Sequence, residues 1–199
     1  MREPSAELVA AIGSLIMTDP ARIIAVARSL RGPDRSIEST VTGMSMGAGL
    51  PPGTRIRIDL VERDRYEVGE IVAYVHGKKV IVHRVVHRGL VGTAAGLVLT
   101  RGDAPLVPDP PVPHANILGP VSAMWNDGAW VLPPAQTRVR ALPARVVMSL
   151  MLGASIAMLY ISPRATTVLL TLFYRSERRL RQTRASLLKS GTPNSPGSA

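Results

Sequence analysis

The sequence predicts a mainly β domain with short N-terminal helices and a C-terminal apolar and basic helical tail. Three observations carry that expectation. Short Val/Ile-rich runs recur between residues 37 and 121, several alternating at period two, and Gly and Pro separate them. Aromatic residues are only 4% of the 199 residues, so the 46% apolar fraction must build its core from Val, Ile, Leu, Ala and Met. From Arg138 onward ten Lys/Arg face one acid, Glu177, so the formal net charge of +10 belongs to the C-terminal part and the rest is nearly neutral.

Residues 5–30 read as two short helices. Leu8, Ile12, Leu15 and Ile16 recur at helical spacing, Asp19-Pro20 restarts the chain, and Ile23, Ile24, Val26 and Leu30 follow. Asp19 suits an N-cap and Pro20 the first helical position. Arg31-Gly32-Pro33-Asp34 then breaks the pattern. Strands are expected at 37–42, 54–61, 71–75, 80–86, 97–100 and 117–121, with Ile56, Ile58 and Leu60 on one face of the second. Gly77-Lys78 makes a hairpin turn between the third and fourth. Pro105 to Pro113 reads as an irregular loop, because proline cannot donate to a central ladder.

Residues 146–161 are apolar and uncharged, Ser162-Pro163-Arg164 interrupts, and 166–174 resumes the run. The first piece is shorter than the roughly 20 residues that cross a bilayer comfortably. Joined, the two pieces would place Arg164 within the span, at about 2.5 kcal/mol or more. Three arrangements stay open: a spanning helix, an interfacial or hairpin association, and a helix pair packed on the domain itself or on a twin. Arg175, Arg178, Arg179, Arg181 and Arg184 follow directly, so a spanning segment would leave the C-terminus cytoplasmic. The expected plan is an N-terminal helical segment 1–34, a β-domain 35–133, an apolar and basic helical segment 134–190, and a disordered tail 191–199.

There is no cysteine, which excludes disulfides, thiolate metal sites and a cysteine nucleophile. No secretory signal peptide is expected, because the mildly apolar run 8–17 meets Asp19, Pro20 and Arg22 at once. The basic tail has no aromatic partners and no helix-turn-helix precedes it, so anionic lipid is the expected counterpart rather than nucleic acid.

Gly43-Met44-Ser45-Met46 follows a strand-like run and places a hydroxyl between two methionines in a Gly/Pro-rich loop. A serine hydroxyl is a weak nucleophile until a neighbouring base takes its proton. His83 stands in the apolar run 80–86, and imidazole titrates near neutrality, which suits a general base. Arg84 would point to the opposite face and either pair with a carboxylate or stabilise the sheet edge. Asp103, in a Gly-Asp turn, and Asp109, between Pro108 and Pro110, are the two acids that could orient the imidazole. His76 and His87 lie close in sequence, but their spacing with His83 matches no standard zinc pattern, so no metal and no cofactor are expected.

Taken in order, these stretches resemble the signal peptidase I clan of serine peptidases, which includes the self-cleaving LexA-type repressors. Gly43-Met44-Ser45-Met46 resembles the nucleophile box, Gly69 through Val86 the strand with the general base, and Arg101-Gly102-Asp103, Asp109 and Leu118-Gly119-Pro120-Val121 the closing box. The likeness covers about residues 37–121. His83 stands just before Arg84 where most bacterial members have lysine, as in the endoplasmic-reticulum and archaeal type. The resemblance implies a signal-peptidase/LexA-like catalytic β-domain with Ser45 as nucleophile, His83 as base, Asp109 as the acid and Asp103 as a supporting or alternative one. It also implies cleavage after small residues of a leader or signal-type peptide bound as an added strand. Met44, Met46 and Arg84 are the side chains expected to line that peptide. Ala48 stands where the family has a proline, and the apolar segment is C-terminal where the family often has an N-terminal anchor. Membrane association through residues 146–189 is expected, with a cytoplasmic peptidase as the alternative. The competing functional reading is a non-catalytic, membrane-tethered peptide-binding or adaptor domain.

Overall fold

Asp19 opens the helix α1 (Pro20–Ser29) by accepting the Ala21 N–H on its carboxylate at 3.0 Å, with Pro20 in the first turn, where a missing N–H costs nothing. The computed structural model describes residues 19–61, 63–89, 92–135, 142–173 and 175; side chains of 93 and 142–145 are outside the description. The earlier of the two expected N-terminal helices and the tail 191–199 lie outside the described residues. Ile23 and Ala27 of α1 are buried in the same cluster as Ile56, Ile58, Leu60, Ile71 and Val121, so this helix is part of the β-domain's core.

The domain is mainly β, as the alternation predicts. One antiparallel sheet is built from β1 (Ser36–Thr40), β2 (Arg55–Asp59), β3 (Ile71–His76), β4 (Lys79–Arg88), β5 (Leu97–Arg101), β6 (Val112–Pro113), β7 (Ile117–Asn126) and β8 (Ala129–Val131). Its order is β1-β2-β7-β3-β4-β5-β6, with β8 added on β7. The late strand β7 thus separates β2 from β3, pairing Ile58 with Val121 and Ala73 with Gly119. Gly119 is required there: a Cβ would lie 1.7 Å from the Asp59 carbonyl oxygen.

Both faces of β3 are buried, with Ile71, Ala73 and Val75 in the first cluster and Val72 and Tyr74 in a second with Tyr66, Val85, Val98, Val112 and Ile117. Two hydrophobic layers on one sheet explain why 71–75 reads as a continuous apolar run instead of an alternating one. Gly77-Lys78 does turn β3 into β4, with His76 opposite Lys79. The strands β6 and β8 are additions to the expected set. The two-residue β6 sits at the sheet edge, the one place where Pro113 is tolerated. The β7–β8 hairpin turns on Asp127 (φ 46°) and Gly128 (φ 86°), the left-handed pair of a two-residue turn. Trp125 and Trp130 pair across it, and the Arg57 guanidinium lies 4.3 Å from the Trp130 ring centroid.

The apolar tail forms two consecutive helices with helical bonds on either side of Ser162, whose N–H donates to the Met158 carbonyl and whose carbonyl accepts the Thr166 N–H. α2 (Leu142–Ile161) is followed by α3, residues 163–173. Ser162 joins them by accepting the Ala165 N–H on its hydroxyl, and Pro163 takes the first position of α3. Leu159 and Leu170 are buried against Ala94, Leu99 and Val107, with Ile156 and Tyr160 alongside, so one face of each helix packs on the β-domain. Among the described residues no helix is long and apolar enough to cross a membrane.

Candidate active site

Beyond β1 the chain passes Val41, whose N–H and carbonyl are tied to Thr54 and Gly53, and enters a turn closed by the Gly47 N–H on the Met44 carbonyl. Met46 and Leu50 point inward and are almost fully buried, anchoring the turn from both sides of Ser45. Gly47 takes φ 60°, which only glycine adopts without strain. Ser45 is left half-buried, with Met44 beside it 76% exposed.

His83 comes from the middle of β4, opposite Val72, and is 1% exposed. Its Nε2 lies 2.8 Å from Ser45 Oγ and its Nδ1 lies 2.6 Å from Asp109 Oδ2. An ionised carboxylate only accepts, so Nδ1 carries the proton toward Asp109 and the lone pair of Nε2 faces the serine hydroxyl. Nucleophile, base and acid therefore form one unbroken line across 64 residues of sequence, from 45 to 109.

The two candidate acids separate cleanly. Asp109 is the one on His83. Asp103 instead takes a bidentate pair from Arg84, at 3.0 Å to Nε and 2.8 Å to Nη2, and both side chains are buried. Arg84 also donates to the carbonyls of Gly69 and Pro134. A Cβ on Gly49, in the Ser45 loop, would lie 3.4 Å from Asp103 Oδ2, so this ion pair packs directly against that loop. A buried guanidinium needs such a set of acceptors to offset its desolvation.

Of the three side chains expected to line a peptide, the structure leaves Met44 on the surface. Met46 and Arg84 sit in the interior instead. Met46 is held by the first apolar cluster and Arg84 by Asp103 and two carbonyls. Ser39 lies on the exposed strand β1 and Thr42 is exposed near the serine turn. A cavity of about 340 Å³ between β4 and α2 is lined by Val86, Arg101, Met148 and Leu152 among others, and neither Ser45 nor His83 borders it. The serine thus opens on the surface and not into this cavity.

Gly102 of the Arg-Gly-Asp motif and two strand residues that no motif marks, Thr100 and Tyr74, complete the site. Thr100, fully buried on β5, has its hydroxyl oxygen 2.8 Å from Asp109 Oδ2 and 3.2 Å from the Tyr74 hydroxyl. Since a carboxylate cannot donate, the Thr100 proton goes to Asp109 and Tyr74 can donate to Thr100. Gly102 lies where a Cβ would be 2.5 Å from the Ser45 carbonyl oxygen and 3.0 Å from His83 Nε2. Two residues further on, Ala104 donates its N–H to that same carbonyl at 2.8 Å. Gly102 stood inside the Arg-Gly-Asp motif, whereas Thr100 and Tyr74 look like ordinary strand residues.

Among the described residues no group of three or more His, Asp or Glu side chains is arranged to hold a metal ion. No protein-family model matches this sequence, and a search of curated proteins finds no match either.

Proposed function

We propose that this chain is a serine endopeptidase of the signal peptidase type, with Ser45 as nucleophile, His83 as general base and Asp109 as the orienting acid. The observation that carries the reading is the continuous Ser45–His83–Asp109 line, at 2.8 and 2.6 Å. Such a line has one obvious chemical use. Ser45 Oγ attacks the scissile carbonyl carbon while its proton passes to His83 Nε2. The imidazolium is stabilised by Asp109. Collapse of the tetrahedral intermediate breaks the C–N bond, and the same proton goes from Nε2 to the leaving amine. Water, deprotonated by His83, then releases the acyl group from Ser45. The Ser45 N–H is the proposed oxyanion donor, a contribution of about 2.7–4 kcal/mol per donor.

The substrate in this reading is an extended peptide with small residues before the cleaved bond. Two features support an extended peptide. The serine opens at the surface, and β1, which leads into the serine turn, is a largely exposed edge strand paired on one side by β2. The preference for small residues comes from the resemblance of the motifs.

The test is direct. A serine-reactive phosphonate should label Ser45, and the purified chain should cleave an Ala-x-Ala-type peptide. Ser45→Ala should abolish both. Unchanged turnover in Ser45→Ala would overturn the proposal.

A further inference from the structure

We infer that the outer face of α2 and α3 is a docking surface for an anionic bilayer, on which the two helices lie in the plane of the interface. This is independent of the peptidase reading. The inner face is already used, since Leu159 and Leu170 are buried on the β-domain. The outer face remains apolar nonetheless. On α2, Val146, Val147, Leu150 and Ile161 are exposed, Leu150 at 65% and Ile161 at 80%. The small residues between them on that face, Gly153, Ala154 and Ala157, carry no charge either. On α3, Val168, Leu172 and Phe173 are exposed as well. Exposed apolar side chains gathered on one face of consecutive helices commonly mark a docking surface.

The distribution of charge selects lipid as the occupant. Arg164, Val168, Leu172 and Arg175 follow one another at spacings of four, four and three, so they form a single stripe along α3. Both Val168 and Leu172 are exposed, and an arginine stands at each end of them. An arginine at each end can reach headgroups while the stripe between enters the acyl boundary. Beyond Arg175 the sequence continues with Arg178, Arg179, Arg181, Arg184 and Lys189 against one acid, Glu177. The sequence after α3 is thus polybasic, and each basic side chain near an anionic surface strengthens binding. A second copy of the chain would bring the same positive charge to the same place, which disfavours a twin as the occupant.

The experiment uses the full chain and two vesicle preparations, pure phosphatidylcholine and an equal mixture with phosphatidylglycerol, in a sedimentation assay. The chain should pellet with the anionic vesicles, and raising salt should weaken but not abolish that binding. Leu150→Glu combined with Leu172→Glu should weaken it by about tenfold or more. Both side chains are exposed, so the thermal midpoint should hold, which separates lost docking from lost folding. Leu150→Met with Leu172→Met should bind like the parent. Absence of binding to the mixed vesicles would overturn the inference. So would full binding by the double glutamate variant, or a dimer in solution that the same variant dissociates. Protection of the C-terminus from external protease on addition of vesicles would overturn the in-plane arrangement in favour of a span.

Discussion

Thr100 holds Asp109 from two sides: its hydroxyl lies 2.8 Å from Asp109 Oδ2 and its carbonyl accepts the Asp109 N–H at 2.7 Å. The same carboxylate oxygen receives the His83 ring, so the orientation of the base depends on a strand residue that never meets the serine. Thr100→Val keeps the shape and removes the hydroxyl. It should lower kcat about tenfold with little change in KM, in line with one hydrogen bond to a charged group. Thr100→Ser should restore most of the rate. Steady-state kinetics on the two variants checks this, since a packing role alone would favour valine over serine.

Gly102 is expected to tolerate no side chain. An added Cβ meets the backbone oxygen of Ser45 at 2.5 Å, and backbone does not yield as a flexible side chain would. Gly102→Ala should therefore displace the serine turn from His83, cutting phosphonate labelling of Ser45 about a hundredfold. The accompanying loss of stability should be about 1–3 kcal/mol. Labelling rate and urea midpoint measured on the same sample separate the two effects.

Asp103 and Asp109 should fail differently. Asp109→Asn leaves the shape but removes the charge facing His83, and turnover should fall by about 10⁴-fold, the size typical of a neutralised acid in a Ser-His-Asp system. Asp103→Ala strands the buried Arg84 guanidinium, at about 3–5 kcal/mol of folding stability. Chemical denaturation of both variants, beside their kinetics, should show stability falling more with Asp103 and rate falling more per unit of stability with Asp109.

Much of this arrangement is legible from residues alone. Short Val/Ile-rich runs announce most of the sheet, the alternation of β2 marks its one buried face, and the order of Ser45, His83-Arg84 and the two aspartates points to a serine site. The choice between Asp103 and Asp109 is not legible, since both are turn-forming acids in a Pro/Gly-rich stretch and only pairing with Arg84 or His83 separates them. Thr100 and Tyr74 carry no signal because threonine and tyrosine are common in strands for reasons of packing. The inward turn of Met46 was hidden by its symmetry with Met44 about Ser45. β8 is only three residues long, although Asp127-Gly128 before it is a usable hairpin signal. The seat of α2 and α3 is not legible either, because an apolar helix reads alike whether its neighbour is protein or lipid.

His87 should make the packing of α2 sensitive to acid. Its ring packs edge-on to Tyr160 of α2 at 5.9 Å, and its Nε2 is buried without a hydrogen-bond partner among the described residues. Burial holds the imidazole below its ordinary value of 6.5. The unfolded chain then binds the proton more readily than the folded one, so stability is full above about 6.5 and declines as pH falls below it. His87→Phe should remove that decline. Thermal midpoints of parent and variant at several values between pH 7.5 and about 5 would show it.

Val107 is shared property. It lies two residues before Asp109 in the loop that supplies the acid, yet its side chain packs with Leu159 of α2 and Leu170 of α3. The helix pair is therefore a buttress of the acid loop, and the two should open as one cooperative unit. The amide of Asp109, donating to the Thr100 carbonyl, becomes a local gauge of that unit. Its hydrogen exchange should accelerate whenever the distant helices loosen, and shortening the chain before α2 would slacken the acid loop without touching a single residue of the serine–histidine pair.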